Sequence, residues 1–286
     1  MRTVSLKLLR RTLLSAFLGA LIGFSALPVW ASGNDSSRPP AREELENIKP
    51  SSPVTKGDDK AGLPFDIRKE AVKEAALSYG ARGGLAWRGY FIRQELETTA
   101  GYMDKVFDFR LLLIPAPSGL MIEPPVVTED DNAMIINASG QEAAVADRIY
   151  NISANARIVA APRDWRNYLE RDWGTDVKRP PDILMPDSKE EREAWIGWIR
   201  EGWDKGIQQA DDIFEADLFQ LTADYQGMVR YRILLSQGMI SPPYALQVDR
   251  GITGGGNRMR VGDRAVQITG RPEFIPGSNT WQPASR

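Results

Sequence analysis

Carboxylates are the main side chains that could act in catalysis or metal binding in this 286-residue chain, because it contains neither histidine nor cysteine. Without those residue types the chain cannot build a Ser-His-Asp triad, a thiolate nucleophile, a disulfide or the usual ligand sets of zinc, haem and iron–sulfur clusters. The chemistry that remains is acid–base work by carboxylates, lysine, tyrosine or serine, or a hard metal ion held by oxygen ligands.

Three acidic residues suggest a metal site. Asp204, Asp211 and Glu215 fall on one face of a predicted helix at seven- and four-residue spacing, where their oxygens could in principle hold a cation. Lys205 and Arg200 partly neutralise this cluster, and such clusters are usually the solvated side of an amphipathic helix. We therefore predict neither a metal ligand nor a cofactor.

Paired carboxylates also allow an enzymatic hypothesis, namely a periplasmic carboxylate-dependent glycosidase that acts on peptidoglycan. The candidate acids are Glu95, Glu97 and Glu123, but their spacing does not distinguish them from surface charges. We assign no catalytic residue and keep the glycosidase as the alternative function. A soluble solute-binding protein is a third hypothesis.

The candidate partner-contact residues are Trp195, Trp198, Gly202 and Gly206. On a helical wheel Trp198 lies outside the main apolar stripe near Trp195, with Gly202, Gly206 and Gly227 beside it. Small residues next to such a tryptophan make a flat groove that another chain could enter. A second intramolecular contact, most simply with the first helical region, explains the pattern equally well.

One long amphipathic helix carries most of these residues. Ser188 and Glu191 form a capping box, and apolar residues then recur every three or four positions until Gly238. The periodic run covers about fifty residues, or roughly 75 Å of straight helix. We expect so long a helix to bend or to form a projecting spine.

The region before that helix combines helices and strands. Asp66 is a suitable N-cap for a first helix, which Gly80–Gly84 should interrupt or kink, and a second helix is predicted from Leu85 to about Phe107. Residues 109–158 contain short apolar segments broken by proline, glycine and an acidic turn at residues 129–131. This punctuation predicts antiparallel strands.

The C-terminal region is predicted to return to strands. Tyr244–Ile252 is one candidate, and Asn257–Val261 and Arg264–Thr269 should form a hairpin joined by Gly262–Asp263. The glycine-rich segment Thr253–Asn257 lacks the Gly-Lys-Ser/Thr end of a phosphate loop and opens no helix, so we interpret it as a strand connection. The predicted fold class is α+β: an N-terminal helical region, central antiparallel strands, one long amphipathic helix and a C-terminal β-hairpin.

The N-terminus has the pattern of a secretory signal peptide. Cationic residues precede the apolar stretch Thr12–Trp30, and a small-residue cleavage signal predicts a cut between Ala31 and Ser32. The leader fits the general secretion route, although a retained membrane anchor would explain the apolar stretch as well. Because every leader charge is positive, cleavage leaves a more acidic chain, which argues against nucleic acid as a direct partner.

The amino-acid composition of residues 32–286 predicts three parts: a tether, a folded domain and a tail. Residues 32–63 are rich in polar residues and proline and are predicted to be a flexible tether. Residues 64–270 are predicted to form a single α+β domain, and residues 271–286 are expected to be a disordered tail.

Seven segments together carry a family resemblance. In chain order they are Tyr79–Arg88, Glu123–Val127, Ala146–Tyr150, Pro162–Leu169, Gly202–Ala210, Asp224–Arg232 and Thr253–Asp263. They lie within about residues 66–270, and their order and number resemble the DotC family of type IVB secretion systems, whose plasmid counterpart is the TraI protein of IncI-type conjugation. None of the segments is a catalytic signature.

The resemblance implies a non-enzymatic structural subunit of the outer-membrane core complex of a type IVB secretion or conjugal transfer apparatus. DotD-like and DotH-like subunits are the partners that it implies, and the periplasm is the implied location. Family members typically carry an acylated cysteine after the signal peptide, whereas this chain has no cysteine. We therefore expect outer-membrane association through partners rather than through a lipid anchor.

Overall fold

The fold is α+β, as the sequence predicts. The computed structural model describes residues 38–49, 65–136, 143–174 and 176–282. The helices in this part are α1 (Arg42–Glu46), α2 (Phe65–Val106), α3 (Arg166–Leu169) and α4 (Lys189–Ser236). The strands are β1 (Ile114–Pro115), β2 (Met121–Glu123), β3 (Val126–Ile136), β4 (Ala143–Ala154), β5 (Arg157–Val159), β6 (Tyr244–Gly255) and β7 (Arg258–Gly270). The predicted signal peptide and its cleavage site at Ala31 and Ser32 lie outside the described residues.

Helix α4 is the predicted long amphipathic helix, and it begins and ends where the sequence predicts. The Ser188 hydroxyl accepts a hydrogen bond from the Glu191 backbone N–H at 3.1 Å, which satisfies one of the free donors at the helix start. Gly238 follows the last turn with a φ of 71°, a conformation that glycine adopts without steric cost. The 48 residues between these ends span about 72 Å.

Helix α2 is continuous, so the predicted interruption at Gly80–Gly84 is wrong. These glycines permit close packing instead of breaking the helix. A Cβ on Gly80 would collide with the backbone carbonyl of Ile199, and a Cβ on Gly84 would collide with that of Trp203. The bare backbone lets α2 approach α4 more closely than any larger residue would allow.

The two long helices lie side by side and run in the same direction. Gly80 packs on Ile199 near their starts, and Phe107, just past the end of α2, packs edge-on against Tyr225 at a centroid distance of 5.4 Å. Parallel neighbours need a long connection, because the chain must return to the end from which it started. Residues 107–188 make this return and include strands β1 to β5.

A buried cluster fills the space between the N-terminal halves of α2 and α4. Its members are Leu45, Val72, Ala76, Tyr79, Trp195, Ile199 and Trp203. Leu45 comes from α1, inside the stretch that was predicted to be a flexible tether. Its backbone carbonyl accepts a hydrogen bond from the Trp195 indole N–H at 3.2 Å. Residues 38–49 are thus packed against the helices, because Leu45 supplies apolar surface to this core; residues 50–64 lie outside the described residues.

The returning chain holds the helix pair through large buried side chains. Trp165, Leu169, Trp173 and Met185 are all buried along it. Trp173 lies where a side chain on Gly89 would otherwise be, so another α2 glycine is explained by packing. Residues 162–174 and 176–185, called the strap below, cover the junction of the two helices.

The central strands confirm the predicted antiparallel pairing. Strands β1, β2 and β5 form a three-stranded sheet, and β3 pairs with β4. The predicted acidic turn at residues 129–131 is wrong, because these residues lie inside β3 and pair with β4. A second buried cluster joins Val127 of β3 to Tyr231 and Leu234 of α4, and it anchors the strands to the end of that helix.

The C-terminal hairpin is present, but its turn differs from the prediction. Strands β6 and β7 pair with each other, and Gly256 and Asn257 form the turn. Gly256 has a φ of 60°, which a two-residue hairpin turn requires. Gly262, in the predicted turn, instead forms part of a β-bulge within β7.

The segment after the hairpin also packs, although it was expected to be a disordered tail. The Ile275 N–H donates to the Met239 carbonyl at 2.9 Å, and the Gln282 N–H donates to the Gln237 carbonyl at 2.9 Å. Residues 271–282 are therefore tied to the end of α4, and residues 283–286 lie outside the described residues. None of the helices in the described part of the chain combines the length and hydropathy that crossing a membrane needs.

Candidate functional site

The residues predicted to contact a partner lie at the contact between the two long helices. Trp195 is fully buried, and Gly202 and Gly206 face the backbone carbonyls of Leu77 and Ala81 on α2. Trp198 is half-buried and packs against the same core. The structure therefore gives these four residues the intramolecular contact that the sequence left open as an explanation.

The acidic residues considered as metal ligands are not assembled into a site. Asp211 accepts a hydrogen bond from the Arg88 guanidinium at 2.6 Å. Asp204 and Glu215 are exposed on α4. Among the described residues, no group of three or more acidic side chains is arranged to hold a metal ion.

The three acids of the glycosidase hypothesis occupy different environments. Glu95 is half-buried and Glu97 is exposed, both on α2, whereas Glu123 on β2 is only 2% exposed. The Glu123 carboxylate forms ion pairs with Arg157, at 2.8 Å, and with Arg163. A carboxylate that two guanidinium groups hold in this way is part of a structural cross-link, and nothing in the described part of the chain supports the glycosidase.

That cross-link extends from Arg163 to helix α4. The Arg163 guanidinium lies 2.7 Å from the Asp224 carboxylate, which also accepts a hydrogen bond from the Tyr168 hydroxyl at 2.8 Å. Burial raises the pKa of Tyr168 above its ordinary value, so the hydroxyl stays protonated and keeps donating. The cluster joins β2, the strap and α4 through charge-assisted hydrogen bonds.

A cleft of about 300 Å³ opens beside this cluster. Its lining residues are Asp104, Phe107, Asp108, Phe109, Arg110, Pro162, Arg163, Asp164, Trp165 and Arg166. Hydrogen bonds from Arg166, at 2.8 Å, and from the Trp165 indole, at 2.7 Å, hold the pKa of Asp104 below its usual value. A carboxylate with a lowered pKa and two donors is a poor general base at neutral pH, so the cleft offers little acid–base chemistry.

The β6–β7 hairpin differs from every site considered so far, because its large apolar side chains face solvent. They are Tyr244, Leu246, Val248, Ile252, Met259 and Val261, with exposed fractions between 49% and 72%. The two strands form a sheet of their own, and their main neighbours elsewhere in the described chain are β5 and the short 3-10 turn Pro117–Gly119. Exposed apolar side chains in this number on one hairpin are typical of an interaction site.

The outer part of the hairpin, Arg250–Gly262, is called the hairpin tip below. Ile252 lies directly opposite Val261 across the two strands, so the two side chains share one face. Met259 belongs to that face as well, since it lies two residues from Val261. Arg260 is the cross-strand neighbour of Thr253 and therefore points to the opposite face.

The hairpin tip also carries an unbalanced charge. It contains Arg250, Arg258 and Arg260 and no acidic residue of its own, while the chain as a whole has a net charge of −2. Asp249 and Asp263 flank the tip, and the Thr253 hydroxyl donates to the Asp263 carboxylate at 2.7 Å. No ion pair joins these three arginines to an acidic side chain in the described part of the chain. Arg258 and Arg260 occupy alternate positions of β7 and lie on the face opposite Met259 and Val261, so the hairpin tip is apolar on one face and cationic on the other.

Sequence reasoning did not single out this surface. Alternating apolar residues in β6 and the Arg-Met-Arg-Val run in β7 were visible as strand signals. The same alternation is typical of strands that bury one face in a core, so the pattern indicates a strand without telling whether the apolar face is covered. The three arginines of the hairpin tip, with no acidic residue between them, were the sequence signal that could have indicated this surface.

Comparison with known proteins identifies the family. Residues 66–283 match the TraI family of the type IV secretory system, described as conjugal DNA-protein transfer. No curated protein matches the chain. The matched range covers well over half of the sequence and includes both long helices, the strap and the hairpin. The chain therefore belongs to the TraI family and is a component of a type IV secretion or conjugation apparatus.

Proposed function

We propose that this chain is a non-enzymatic structural subunit of the outer-membrane core complex of a type IVB secretion or conjugal transfer apparatus. It assembles in the periplasm with DotD-like and DotH-like subunits. Those partners, rather than a lipid on this chain, connect it to the outer membrane. The proposal joins the TraI family membership to the resemblance to DotC.

The exposed hairpin is the observation that carries this proposal. A two-stranded ribbon is marginally stable by itself, because it buries little apolar surface. Here the ribbon extends over twelve residues of β6 and thirteen of β7 and leaves six large apolar side chains accessible. Assembly explains such a ribbon, because a partner subunit would cover the apolar side chains that are exposed in the isolated chain.

The ionisable groups support the non-enzymatic part of the proposal. Buried Glu123 is held by Arg157 and Arg163, and Asp224 is held by Arg163 and Tyr168. These groups stabilise the body through mutual neutralisation and leave no buried carboxylate of the cluster unpaired for proton transfer.

Co-expression with the two proposed partners tests the function. The mature chain should co-purify with the DotD-like and DotH-like subunits of its own apparatus, and the three should elute together in size-exclusion chromatography. Deleting the gene should abolish transfer in a mating or secretion assay, and a plasmid copy should restore it. A mature chain that remains monomeric beside both partners, together with unimpaired transfer in the deletion strain, would contradict the proposal.

A further inference from the structure

The outer edge of β7 is open for pairing in the hairpin tip. In the described part of the chain β7 pairs with β6 only, so one row of its backbone N–H and C=O groups has no strand neighbour. Every residue from Gly254 to Gly262 is exposed. An open edge with accessible side chains on both faces is the geometry that accepts an added strand.

The side chains on that edge define what the added strand must carry. Arg258 and Arg260 project to one face, and Met259 and Val261 project to the other, where Met259 is 71% and Val261 is 72% exposed. Residues opposite each other on neighbouring strands share a face and interact most strongly. The complementary strand therefore places acidic side chains beside the arginines and apolar side chains beside Met259 and Val261, in strict alternation.

A membrane surface fits the same charges less well. Anionic lipid would attract the three arginines, and the apolar face would favour the bilayer. Insertion, however, would take the unpaired edges of β6 and β7 into hydrocarbon, where backbone groups have no water to pair with and exposed strand edges are not tolerated. A protein strand beside β7 satisfies the backbone groups of that edge, and the edge of β6 stays in water.

A second copy of this chain is also a poor occupant of the edge. If β7 paired with β7 of another copy through the hairpin tip, the arginines of both strands would lie on neighbouring positions. Like charges opposite each other destabilise a strand pair. The charge pattern calls for an acidic partner instead.

We propose that the outer edge of β7 at Arg258–Val261 binds an extended segment of another subunit, in which acidic and apolar residues alternate, as a third strand. The inference rests on the proposed function, which supplies an assembly in which such a subunit is present. Main-chain hydrogen bonds give the contact its strength, and the arginine and apolar faces select the register and the sequence.

Site-specific photo-crosslinking at Val261 in the assembled complex tests this inference directly. A photoreactive residue at Phe219, which is exposed on α4, is the matched control. Mass spectrometry of the Val261 product should identify a partner segment with alternating acidic and apolar residues, and the Phe219 product should not contain it. A Val261 product that is only lipid, nucleic acid, a second copy of this chain or a helical segment overturns the inference.

Charge reversal provides the second arm of the experiment. The double variant R258E/R260E should weaken binding to the partner about ten-fold, because two attractive cross-strand pairs become repulsive. R271E reverses an exposed arginine outside the hairpin and should bind like the unmodified chain. Unchanged binding of R258E/R260E overturns the inference while the proposed function stands, whereas failure of the unmodified chain to assemble overturns the proposed function itself.

Discussion

The α2–α4 helix pair and the β6–β7 hairpin use their residues in opposite ways. In the helix pair even glycines are buried, because Gly202 and Gly206 lie directly against the α2 backbone. In the hairpin tip large apolar residues are exposed, and Ile252 is 67% accessible. One region buries its smallest residues, and the other presents some of its largest apolar ones to solvent.

This difference indicates that one region of the chain provides stability and the other provides a binding surface. Buried residues in a close-packed contact contribute to the free energy of unfolding, and changing their volume is costly. Exposed residues on a ribbon contribute little to folding, so their apolar character needs another explanation. Substitutions in the body should therefore destabilise the isolated protein, and substitutions in the hairpin tip should affect assembly alone.

Replacing Glu123 by glutamine should produce the largest loss of stability. The substitution takes the charge out of both guanidinium contacts of buried Glu123, and a hydrogen bond to a charged group contributes about 1.5–3 kcal/mol, so the loss should be about 3–5 kcal/mol. Glu97→Gln, which changes an exposed carboxylate on α2, should alter the free energy of unfolding by less than about 0.5 kcal/mol. Urea denaturation of both variants measures the two values, and equal effects would contradict the assigned cross-link.

A substitution at the close contact between α2 and α4 should give the next largest loss of stability. Gly206→Ala places a methyl group against the Ala81 carbonyl, and the backbones must separate to admit it, at a cost of about 3 kcal/mol. Gly197 lies on the same helix, and apart from the adjoining backbone of that helix no atom of the described residues comes within 4 Å of its Cβ position. Gly197→Ala should therefore stabilise the protein by about 0.5–1 kcal/mol, because alanine favours a helix. Denaturant midpoints with opposite shifts would support the described contact, and matching shifts would refute it.

Alkaline pH tests the cluster at the end of α4. Burial raises the pKa of Tyr231 to about 12, above its ordinary value of 10.0. Because the folded state then holds this proton more tightly than the unfolded state, the stabilisation is complete below pH 10 and is lost as the pH rises towards 12. The loss should be on the order of 2 kcal/mol.

Tyr231→Phe isolates that contribution. The unfolding free energy of the parent should fall relative to that of the variant between about pH 10 and 12, because the phenylalanine has no proton to lose. A constant difference over this range would show that the hydroxyl is not buried in the folded protein.

Substitutions in the hairpin tip should have the smallest effect on stability. Ile252→Ser and Val261→Ser change exposed side chains, so each should shift the free energy of unfolding by less than about 0.5 kcal/mol. Both variants should nevertheless assemble poorly with the partner subunits, because they remove the apolar face of the ribbon. Circular dichroism melts measure the stability of each variant, and co-purification yields measure its assembly with the partner subunits. If a variant assembled normally, or lost much of its stability, the hairpin tip would not be a region that serves binding alone.

Local signals in the sequence were sufficient to predict α4 and the fold class. The Ser188 cap and the Gly238 stop act within a few residues of the helix ends, so no tertiary information was needed. The glycines at positions 80 to 84 could not be interpreted in this way. Glycine either breaks a helix or permits a close approach, and only the neighbouring helix decides between these outcomes.

Long-range pairing explains the other differences. Gly256–Asn257 and Gly262–Asp263 both have turn chemistry, and the pairing of β6 with β7 selects the first as the turn. Leu45 lay in a polar stretch, and its burial depends on a core that other elements create. The arginines and apolar residues of the hairpin tip were visible as residues, but whether anything covered them could be known only from the fold.

Hydrogen exchange of the chain alone and in the core complex tests the central claim most directly. The account predicts that amides of residues 250–262 exchange rapidly in the isolated chain and become strongly protected in the complex with the DotD-like and DotH-like subunits. Amides at the contact of α2 with α4 should be slow in both states. Rapid exchange of residues 250–262 within an intact complex would contradict the claim that this protein acts by being bound through its hairpin.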